Sequence, residues 1–290
     1  MLDKEIAKII RIYSDVIKDK EADSFFIQLG SSEGRIKAPV YNYIKQIPFA
    51  RLKPKMILYE NKNLKKSDKE DCEKLLLAHG YILLDIDNDS FAYQPLERYL
   101  LILDLIKNYT VGVEVGVLKG ELSKQILSSW GGKLYLVDAW RHIPGLIDYT
   151  NRDHNEQLNN MAHTFMAVYG FDERACMIRE SSVSASNLFS PNSLDFVYLD
   201  AGHDKKSVKE DLEAWYPKIK NGGMLIGDDY FNATIYLEGV KDSNTVIEVK
   251  STVDAFAKFI GKEVHFAKTR LSSISGTFIE NVLCQWWIYK

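Results

Sequence analysis

Three aspartates follow two predicted strands and could together bind a cation. Asp200 comes after the apolar run 194–199, and Asp228 and Asp229 come after the run 223–227. Neighbouring parallel strands lie about 4.8 Å apart, so their carboxyl ends would place the three carboxylates in one small volume. Carboxylates this close repel one another unless a cation compensates, and oxygen ligands favour Mg²⁺, or otherwise Mn²⁺ or Ca²⁺. The pattern predicts a divalent-cation site, although aspartate pairs also occur as ordinary turns or helix caps.

His203 is the candidate general base of such a site. It lies in the same predicted loop as Asp200, and the pKa of an imidazole suits proton removal near neutral pH. A cation that held two oxygens of an acceptor would lower the pKa of a hydroxyl group and orient it for reaction. The alternative interpretation is that His203 is a surface residue of this loop.

A glycine turn after another predicted strand forms a second candidate site. The strand 111–115 contains Glu114, and the turn that follows it contains Gly116 and Gly120. Glycine lets the backbone turn sharply and approach a ligand closely. The next strand ends at Asp138, where an acidic side chain can accept hydrogen bonds from ribose hydroxyls. The spacing differs from GxGxxG, and an acid within the strand suits a ligand with a cationic amino-acid end. A βαβ turn without a ligand is the alternative.

The elements that would position these residues alternate along most of the chain. Predicted strands span 111–115, 133–137, 194–199 and 223–227, and predicted helices span 96–109, 121–130, 183–189 and 206–219. This alternation predicts βαβ units and therefore an α/β fold with a doubly wound, Rossmann-like, mostly parallel sheet. Strand-like runs within 264–290 are assigned to the same sheet as late strands.

The first part of the chain is Lys-rich and has a different pattern. The apolar spacing predicts a helix over 6–17, strands over 24–29, 55–59 and 81–84, and a helix over 67–79. We therefore predict a small α/β accessory domain at 1–94 and a larger domain at 95–290.

The composition is that of an ordinary globular protein. The 290 residues are 46% hydrophobic and 27% charged, which is too apolar for a mainly disordered chain. The formal net charge is −3 and no basic block compensates locally, so we expect a small-molecule or glycan partner and no nucleic acid. The three cysteines are too few and too far apart to indicate a disulfide framework or a zinc site.

Two further features bear on where the protein acts. The sequence has no pattern of a secretory signal. It also has no run near the ~20 apolar residues that a membrane span needs. We expect a soluble, cytoplasmic protein without a membrane partner, and self-association is a further expectation.

The two candidate sites together resemble those of a known family. The glycine turn with Glu114 and Asp138 resembles that of class I S-adenosylmethionine-dependent methyltransferases. The runs 198–203 (YLDAGH) and 221–230 (NGGMLIGDDY) are similar to the macrocin O-methyltransferase branch of this family, and the likeness covers residues 96–290. The resemblance implies that Glu114, Gly116, Gly120 and Asp138 hold S-adenosylmethionine, and that the acidic strand ends hold a metal.

The resemblance also implies residues for the adenosine end of the cofactor. The family has a loop near the adenine ring where Ser181 or Ser182 could hydrogen-bond, and capping of the next helix is the alternative for either serine. Trp140 could cover the adenosine or pack in the core. Asp200 is assigned to the cofactor and catalytic sites as well as to the metal. Relatives often carry an acid where Gly202 stands, so the assignment of the base to His203 departs from part of the pattern.

The amino-terminal segment resembles a different methyltransferase family. Residues 24–94 are similar to the carboxyl-terminal part of FkbM-type methyltransferases, through Ser31-Ser32-Glu33-Gly34 and the runs 53–60 and 74–81. The glycine-rich cofactor half of that family has no counterpart here. The segment is therefore expected to serve in structure, substrate recognition or self-association.

The expected function is methyl transfer from S-adenosylmethionine, with Mg²⁺ or another divalent cation, to a hydroxyl of a sugar, glycan or natural product. The polar segment 141–164 is a candidate lid or acceptor-recognition loop, and a surface helix is the alternative. A non-catalytic cofactor-binding or scaffold subunit is the second hypothesis. An NAD-dependent oxidoreductase is the third, and the glycine spacing disfavours it.

Overall fold

The computed structural model describes residues 26–29, 44–45, 47, 56–60, 64–86, 89–93, 96–146, 148, 150–236, 244–270 and 282–290. The chain divides into two compact units, one of residues 1–96 with 270–282 and one of residues 97–269 with 283–290. None of the described helices is long and apolar enough to cross a bilayer.

The described strands are β1 (Phe26–Leu29), β2 (Met56–Glu60), β3 (Ile82–Ile86), β4 (Asp89–Tyr93), β5 (Leu96–Glu97), β6 (Val111–Val115), β7 (Lys133–Asp138), β8 (Ala175–Arg179), β9 (Leu194–Leu199), β10 (Ile219–Gly227), β11 (Asn232–Tyr236), β12 (Asn244–Glu248), β13 (His265–Arg270) and β14 (Val282–Tyr289). The described α-helices are α1 (Lys66–Ala78), α2 (Arg98–Ile106), α3 (Glu121–Ser129), α4 (His154–Val168), α5 (Ser182–Ser186), α6 (Lys205–Trp215) and α7 (Val249–Ile260).

The larger unit is built on a sheet with the strand order β5-β13-β14-β10-β9-β6-β7-β8. The five strands from β10 to β8 pair in parallel, and β14 pairs antiparallel with β10. Helices α2, α3 and α4 pack together, and so do α5, α6 and α7, as two layers around a doubly wound sheet. The predicted α/β fold with a mostly parallel Rossmann-like sheet is confirmed. The late strands β13 and β14 belong to the sheet, as predicted.

The central strands are apolar because helices cover both of their faces. Val113, Val197 and Leu225 are fully buried in three neighbouring strands, and Trp215 of α6 and Trp286 of β14 belong to the same core. Strands buried on both faces have nearly continuous apolar sequences, which explains why their positions were predictable.

Several element boundaries differ from the prediction. Helix α2 spans Arg98–Ile106 rather than 96–109, and α5 spans Ser182–Ser186 rather than 183–189. The helix predicted over 206–219 ends at Trp215 and continues as a 3₁₀ turn, Tyr216–Lys218. Pro217 lies in that turn, where a proline removes a backbone donor and disfavours a continuing α-helix. Strand β10 then begins at Ile219 rather than at residue 223.

The smaller unit has a four-stranded sheet with the order β1-β2-β4-β3 and helix α1. Strands β1 and β2 are parallel, and β4 is antiparallel to β2 and β3. Ile57, Cys72 and Leu76 are buried in its core. Strand β4 was not predicted. The predicted helix over 6–17 and the motif at 31–34 lie outside the described residues.

Candidate active site

The carboxyl ends of three parallel strands meet at the acidic residues. Leu199 of β9 is paired with Gly227 of β10 and with Val115 of β6. The next residue on β9 is Asp200, whose backbone N–H donates to the Val115 carbonyl at 2.8 Å. The next residue on β10 is Asp228, whose N–H donates to the Leu199 carbonyl at 3.1 Å. Strand register therefore brings the predicted aspartates to one edge of the sheet.

Arg98 is a cation within this group of carboxylates. Its Nη1 donates to Asp200 Oδ2 at 3.0 Å and to Asp228 Oδ2 at 2.7 Å. Burial by itself would lower the pKa of Arg98, but Tyr198, Asp228 and Asp200 together raise it well above its ordinary value. Arg98 is the first residue of α2. It is not among the residues that the sequence predicts for the site.

Asp228 is almost completely buried, and both of its carboxylate oxygens are hydrogen-bonded. Oδ1 accepts from the Gln285 amide and from the backbone N–H of Asp229 at 2.8 Å, and Oδ2 accepts from Arg98 and from the Tyr198 hydroxyl at 3.4 Å. Burial and the neighbouring carboxylates raise the pKa of Asp228 to about 7, against the opposing effect of Arg98. Its acceptor positions are therefore already in use within the protein.

Strand β14 supplies two of the partners of Asp228. Besides the Gln285 amide, the Trp286 indole N–H donates to the Asp228 backbone carbonyl at 3.0 Å. Gln285 in turn accepts a hydrogen bond from the Thr269 hydroxyl of β13. The late strands thus complete the site as well as the sheet.

Asp200, His203 and Asp229 form a group that could hold a metal ion. One ligand atom from each lies within 4.8 Å of the others. His203 Nε2 is 3.1 Å from Asp229 Oδ2 and 3.8 Å from Asp200 Oδ1. His203 Nδ1 is 2.8 Å from Asp148 Oδ2.

The ionisation of His203 is governed by these carboxylates. Burial by itself would lower the pKa of His203, but hydrogen bonds with Asp148, Asp200 and Asp229 outweigh it and raise that pKa far above its ordinary value. Burial by itself would raise the pKa of Asp200, but His203 and Arg98 lower it. These carboxylates favour the protonated form of His203, and an imidazolium cannot accept a proton until its own proton leaves.

The chemistry of this group fits a divalent cation. The two carboxylates suit Mg²⁺ and Mn²⁺, whereas an imidazole nitrogen as a third ligand favours a transition metal over Mg²⁺. Asp148 takes Nδ1, so Nε2 faces the other two carboxylates, which is how outer carboxylates orient functional histidines. The predicted ligand set was Asp200, Asp228 and Asp229. The structure gathers the first and last of these with His203, whereas Asp228 is engaged by Arg98 and Gln285.

The glycine turn lies directly against the Asp200 loop. Gly116 has a φ of +88°, and a Cβ there would lie 1.8 Å from the backbone oxygen of Asp200. Gly120 has a φ of +75° at the start of α3, and a Cβ there would lie 3.0 Å from Thr164 of α4. Both positions require glycine, for conformation and for close approach. A ligand held at the turn would therefore be next to the acidic group, which consists of Asp200, Asp228 and Asp229.

Asp138 fixes the backbone of this turn. Its Oδ2 accepts from the N–H groups of Val117 and Leu118, each at 2.9 Å, and its Oδ1 accepts from the N–H of Trp140 at 2.9 Å. A carboxylate has about four acceptor positions, so one remains on Oδ1 for a ligand hydroxyl. Trp140 is fully buried, and its indole N–H donates to the Leu118 carbonyl at 3.0 Å.

Glu114 is oriented toward helix α3. Its carboxyl group is buried and accepts a hydrogen bond from the Ser123 hydroxyl at 2.6 Å. Burial raises the pKa of Glu114 to about 8, so this group holds a proton at neutral pH.

The two predicted serines have different surroundings. Ser182 donates to Asp211 and accepts from the Trp215 indole N–H at 2.9 Å. Burial raises the pKa of Asp211 to about 7. Ser181 precedes α5 but makes no capping hydrogen bond through its side chain. Among the described contacts, only Ser182 takes part in a buried hydrogen-bond network.

The polar segment 141–164 is partly a connection and partly a helix. Helix α4 begins at His154, and the Asp153 side chain caps it by accepting from two backbone N–H groups. Asp148 lies in the preceding connection and reaches His203. The second part of the segment is helix α4, and the first part contributes Asp148 to the site.

Comparison with known proteins agrees with this geometry. Residues 113–230 match the family described as a methyltransferase domain. This match contains Glu114, the glycine turn and all three aspartates at the strand ends. It supports a methyltransferase domain within the larger unit.

Several solved structures are similar to this chain. An S-adenosylmethionine-dependent methyltransferase from Methanosarcina mazei is 14% identical, with 67% of this chain and 99% of that chain covered and a TM-score of 0.47. The 1,6-didemethyltoxoflavin-N1-methyltransferase from Burkholderia thailandensis is 10% identical, with 66% and 76% covered and a TM-score of 0.45. A protein from Staphylococcus aureus, provisionally named a caffeoyl-CoA O-methyltransferase, is 15% identical, with 76% and 91% covered and a TM-score of 0.45.

Proposed function

We propose that this chain is a cytoplasmic, S-adenosylmethionine-dependent O-methyltransferase that uses a divalent cation, Mg²⁺ in the first instance. Its acceptor would be a hydroxyl group of a sugar, a glycan or a related natural product. The observation that carries the proposal is the contact between Gly116 and the backbone of Asp200. Because of this contact, the glycine turn, which suits the methyl donor, lies next to the acidic group, which suits the acceptor.

The turn and its neighbours would hold the cofactor. Gly116 and Gly120 leave room for close approach, and Asp138 has an acceptor position left for a ribose hydroxyl. S-adenosylmethionine supplies a methyl group on a sulfonium centre. Trp140 and Asp138 would act mainly by holding the backbone of the turn in the conformation that leaves room for the cofactor.

The acidic group would hold the cation and the acceptor. Four carboxylates share this region with two cationic side chains, so the excess negative charge favours a bound cation. The carboxylates are those of Asp148, Asp200, Asp228 and Asp229, and the cationic side chains are those of Arg98 and His203. A cation there supplies Lewis acidity toward the acceptor hydroxyl.

His203 would remove the acceptor proton. Asp148 holds Nδ1, which leaves Nε2 as the atom that would exchange a proton. In this role the carboxylates of Asp200 and Asp229 would bind the cation, and His203 would stand beside it without binding it. Positive charge at Asp200 and Asp229 would offset the carboxylates that now raise the pKa of His203, and would so make the neutral base accessible.

Cofactor binding is the first test of the proposal. Isothermal titration with S-adenosylmethionine should show binding that Asp138→Ala weakens at least about tenfold, because the turn loses two hydrogen bonds and the backbone of Trp140 loses a third. The matched control is Asp153→Ala, which removes an aspartate that also accepts from backbone N–H groups but lies at the start of α4. Absence of binding to S-adenosylmethionine would remove the methyltransferase assignment.

Methyl transfer itself is tested with labelled S-adenosylmethionine and a panel of sugars and glycosides. Transfer should stop on chelation and in Asp229→Ala, and should return when Mg²⁺ or Mn²⁺ is added to the chelated wild type. Activity that survives both treatments would contradict the metal-dependent mechanism. Cofactor binding without transfer to any acceptor would favour the scaffold alternative.

A further inference from the structure

We propose that Arg98 is an internal counter-ion that competes with the divalent cation for the acidic group. The proposal depends on the proposed function only for the presence of a divalent cation. It assigns a role to a residue that the sequence did not predict for the site. In this role the guanidinium keeps Asp200 and Asp228 neutralised in the metal-free protein. The cation can then bind only if Arg98 shares these two carboxylates with it or releases them.

The contacts of Arg98 are those of a bridging cation. A single nitrogen, Nη1, lies 3.0 Å from Asp200 Oδ2 and 2.7 Å from Asp228 Oδ2. These two residues follow neighbouring strands, so the guanidinium holds together two strand ends whose carboxylates would otherwise repel each other. The Arg98 side chain is only 17% exposed, so water screens the interaction weakly.

Asp200 is the residue that the two cations would share. Its Oδ2 accepts from Arg98, while its Oδ1 faces His203 Nε2 at 3.8 Å, on the side of Asp229. A divalent ion among Asp200, His203 and Asp229 would therefore be separated from the guanidinium by one carboxylate group. Two positive charges this close repel, so Arg98 must weaken the binding of the ion.

Arg98 also stabilises the folded protein when no metal is bound. Asp228 is 5% exposed, and removing its cationic partner leaves a buried carboxylate with neutral partners. Breaking one side of a buried ion pair is strongly destabilising. Without the guanidinium, Asp228 Oδ2 loses its nearest donor and could face a divalent cation held beside Asp200. Such a cation can take over this neutralisation, whereas a purely structural ion pair could not be replaced in that way.

The test compares neutral and charged replacements of Arg98. Arg98→Met and Arg98→Gln remove the charge, and the glutamine amide can still donate one hydrogen bond. Arg98→Lys keeps the charge. Lys220→Met is the matched control, because Lys220 pairs with Asp195 at 2.6 Å on the same strand pair but away from the acidic group. Thermal unfolding and Mn²⁺ titration are measured on the full chain, without S-adenosylmethionine or acceptor.

In EDTA, the melting temperature of the neutral Arg98 variants should fall by about 10 °C. Saturating Mn²⁺ should recover most of that loss, and Mn²⁺ should bind the neutral variants about tenfold more tightly than the wild type. Arg98→Lys should bind Mn²⁺ within about threefold of the wild type, because the competing charge is kept. Lys220→Met should show the same Mn²⁺ affinity and the same Mn²⁺-induced shift as the wild type.

Three outcomes would overturn the proposal. One is equal or weaker Mn²⁺ binding in both neutral variants, and another is a loss of stability that Mn²⁺ does not recover. The third is failure of both neutral variants to fold at saturating Mn²⁺, because the ion would then not replace the guanidinium. Each outcome is separate from the proposed function, whose failure is detected by titration with S-adenosylmethionine.

Discussion

The glycine turn and the acidic group lie in contact, but they are held in place by different interactions. The turn is fixed by backbone N–H groups that donate to Asp138 and by two glycines with left-handed conformations. The acidic group is fixed by charged side chains, chiefly Arg98 and His203. The first arrangement depends on sterics and neutral donors, and the second depends on ionisation. Substitutions and pH should therefore affect the two regions differently.

The largest expected effect is at the turn, in Gly116→Ala. The added Cβ would lie 1.8 Å from the Asp200 backbone oxygen, in addition to the strain of a φ of +88°. We expect a loss of about 5 kcal/mol in the free energy of unfolding, or no folded protein, measured by urea denaturation. The matched control is Gly145→Ala, which has a φ of +84° and no atom within 4 Å of the added Cβ. It should lose only about 1 kcal/mol. Equal losses would mean that close packing at the turn is unimportant.

The next largest effect is expected in the acidic group, in Asp228→Ala. Arg98 and Gln285 would lose a buried partner, so the free energy of unfolding in EDTA should fall by about 3–4 kcal/mol. Lys220→Met breaks a more exposed ion pair and should lose less than about 1 kcal/mol. Both are measured by urea denaturation at neutral pH. A similar small loss in both variants would contradict the view that charge pairing holds this region.

An intermediate effect is expected in the pH dependence set by Glu114. Burial raises its pKa in the folded protein to about 8 from an ordinary 4.5. Between these values the folded state binds more protons than the unfolded state, so stability must fall as pH rises. Glu114→Gln cannot titrate, so its stability should fall by roughly 2–3 kcal/mol less than that of the wild type between pH 5 and pH 8. Urea denaturation at both pH values measures this difference. Glu156→Gln on α4 is an exposed control, and identical slopes for wild type and Glu114→Gln would refute the assignment.

The smallest effect is expected from Asp148→Asn, which alters the partner of His203 rather than the acidic group itself. The asparagine can keep a hydrogen bond to Nδ1 but removes a negative charge beside the imidazole. Mn²⁺ affinity should fall about tenfold, with the affinity for S-adenosylmethionine unchanged, because outer carboxylates orient functional histidines. Asp153→Asn, at the cap of α4, should change neither affinity. A loss confined to S-adenosylmethionine would place Asp148 with the turn instead.

The sequence predicted the frame of the site well. Strands β6, β7 and β9 were predicted within one residue, because strands buried on both faces have continuous apolar runs. The residues at their carboxyl ends follow directly from that placement. The positions of Gly116 and Asp200 could therefore be predicted even though their contact could not.

The partners that complete the site could not be predicted in this way. Arg98 is 102 residues from Asp200 and 130 from Asp228 along the chain, and Asp148 is 55 from His203. No local pattern relates positions so far apart. Only the tertiary structure shows that Arg98, Asp148 and Gln285 supply the charges and hydrogen bonds of the acidic group.

The same distance between partners has a consequence for biosynthesis. Gln285 and Trp286, which bind the side chain and the backbone of Asp228, belong to the strand that is translated after all the other described elements. During synthesis the parallel core can form early, since domains fold from the amino-terminal side as the chain emerges. Asp228 lacks its last hydrogen-bond partners until β14 has been synthesised. If translation stalls just before β14, the edge of the incomplete sheet stays unpaired and can aggregate.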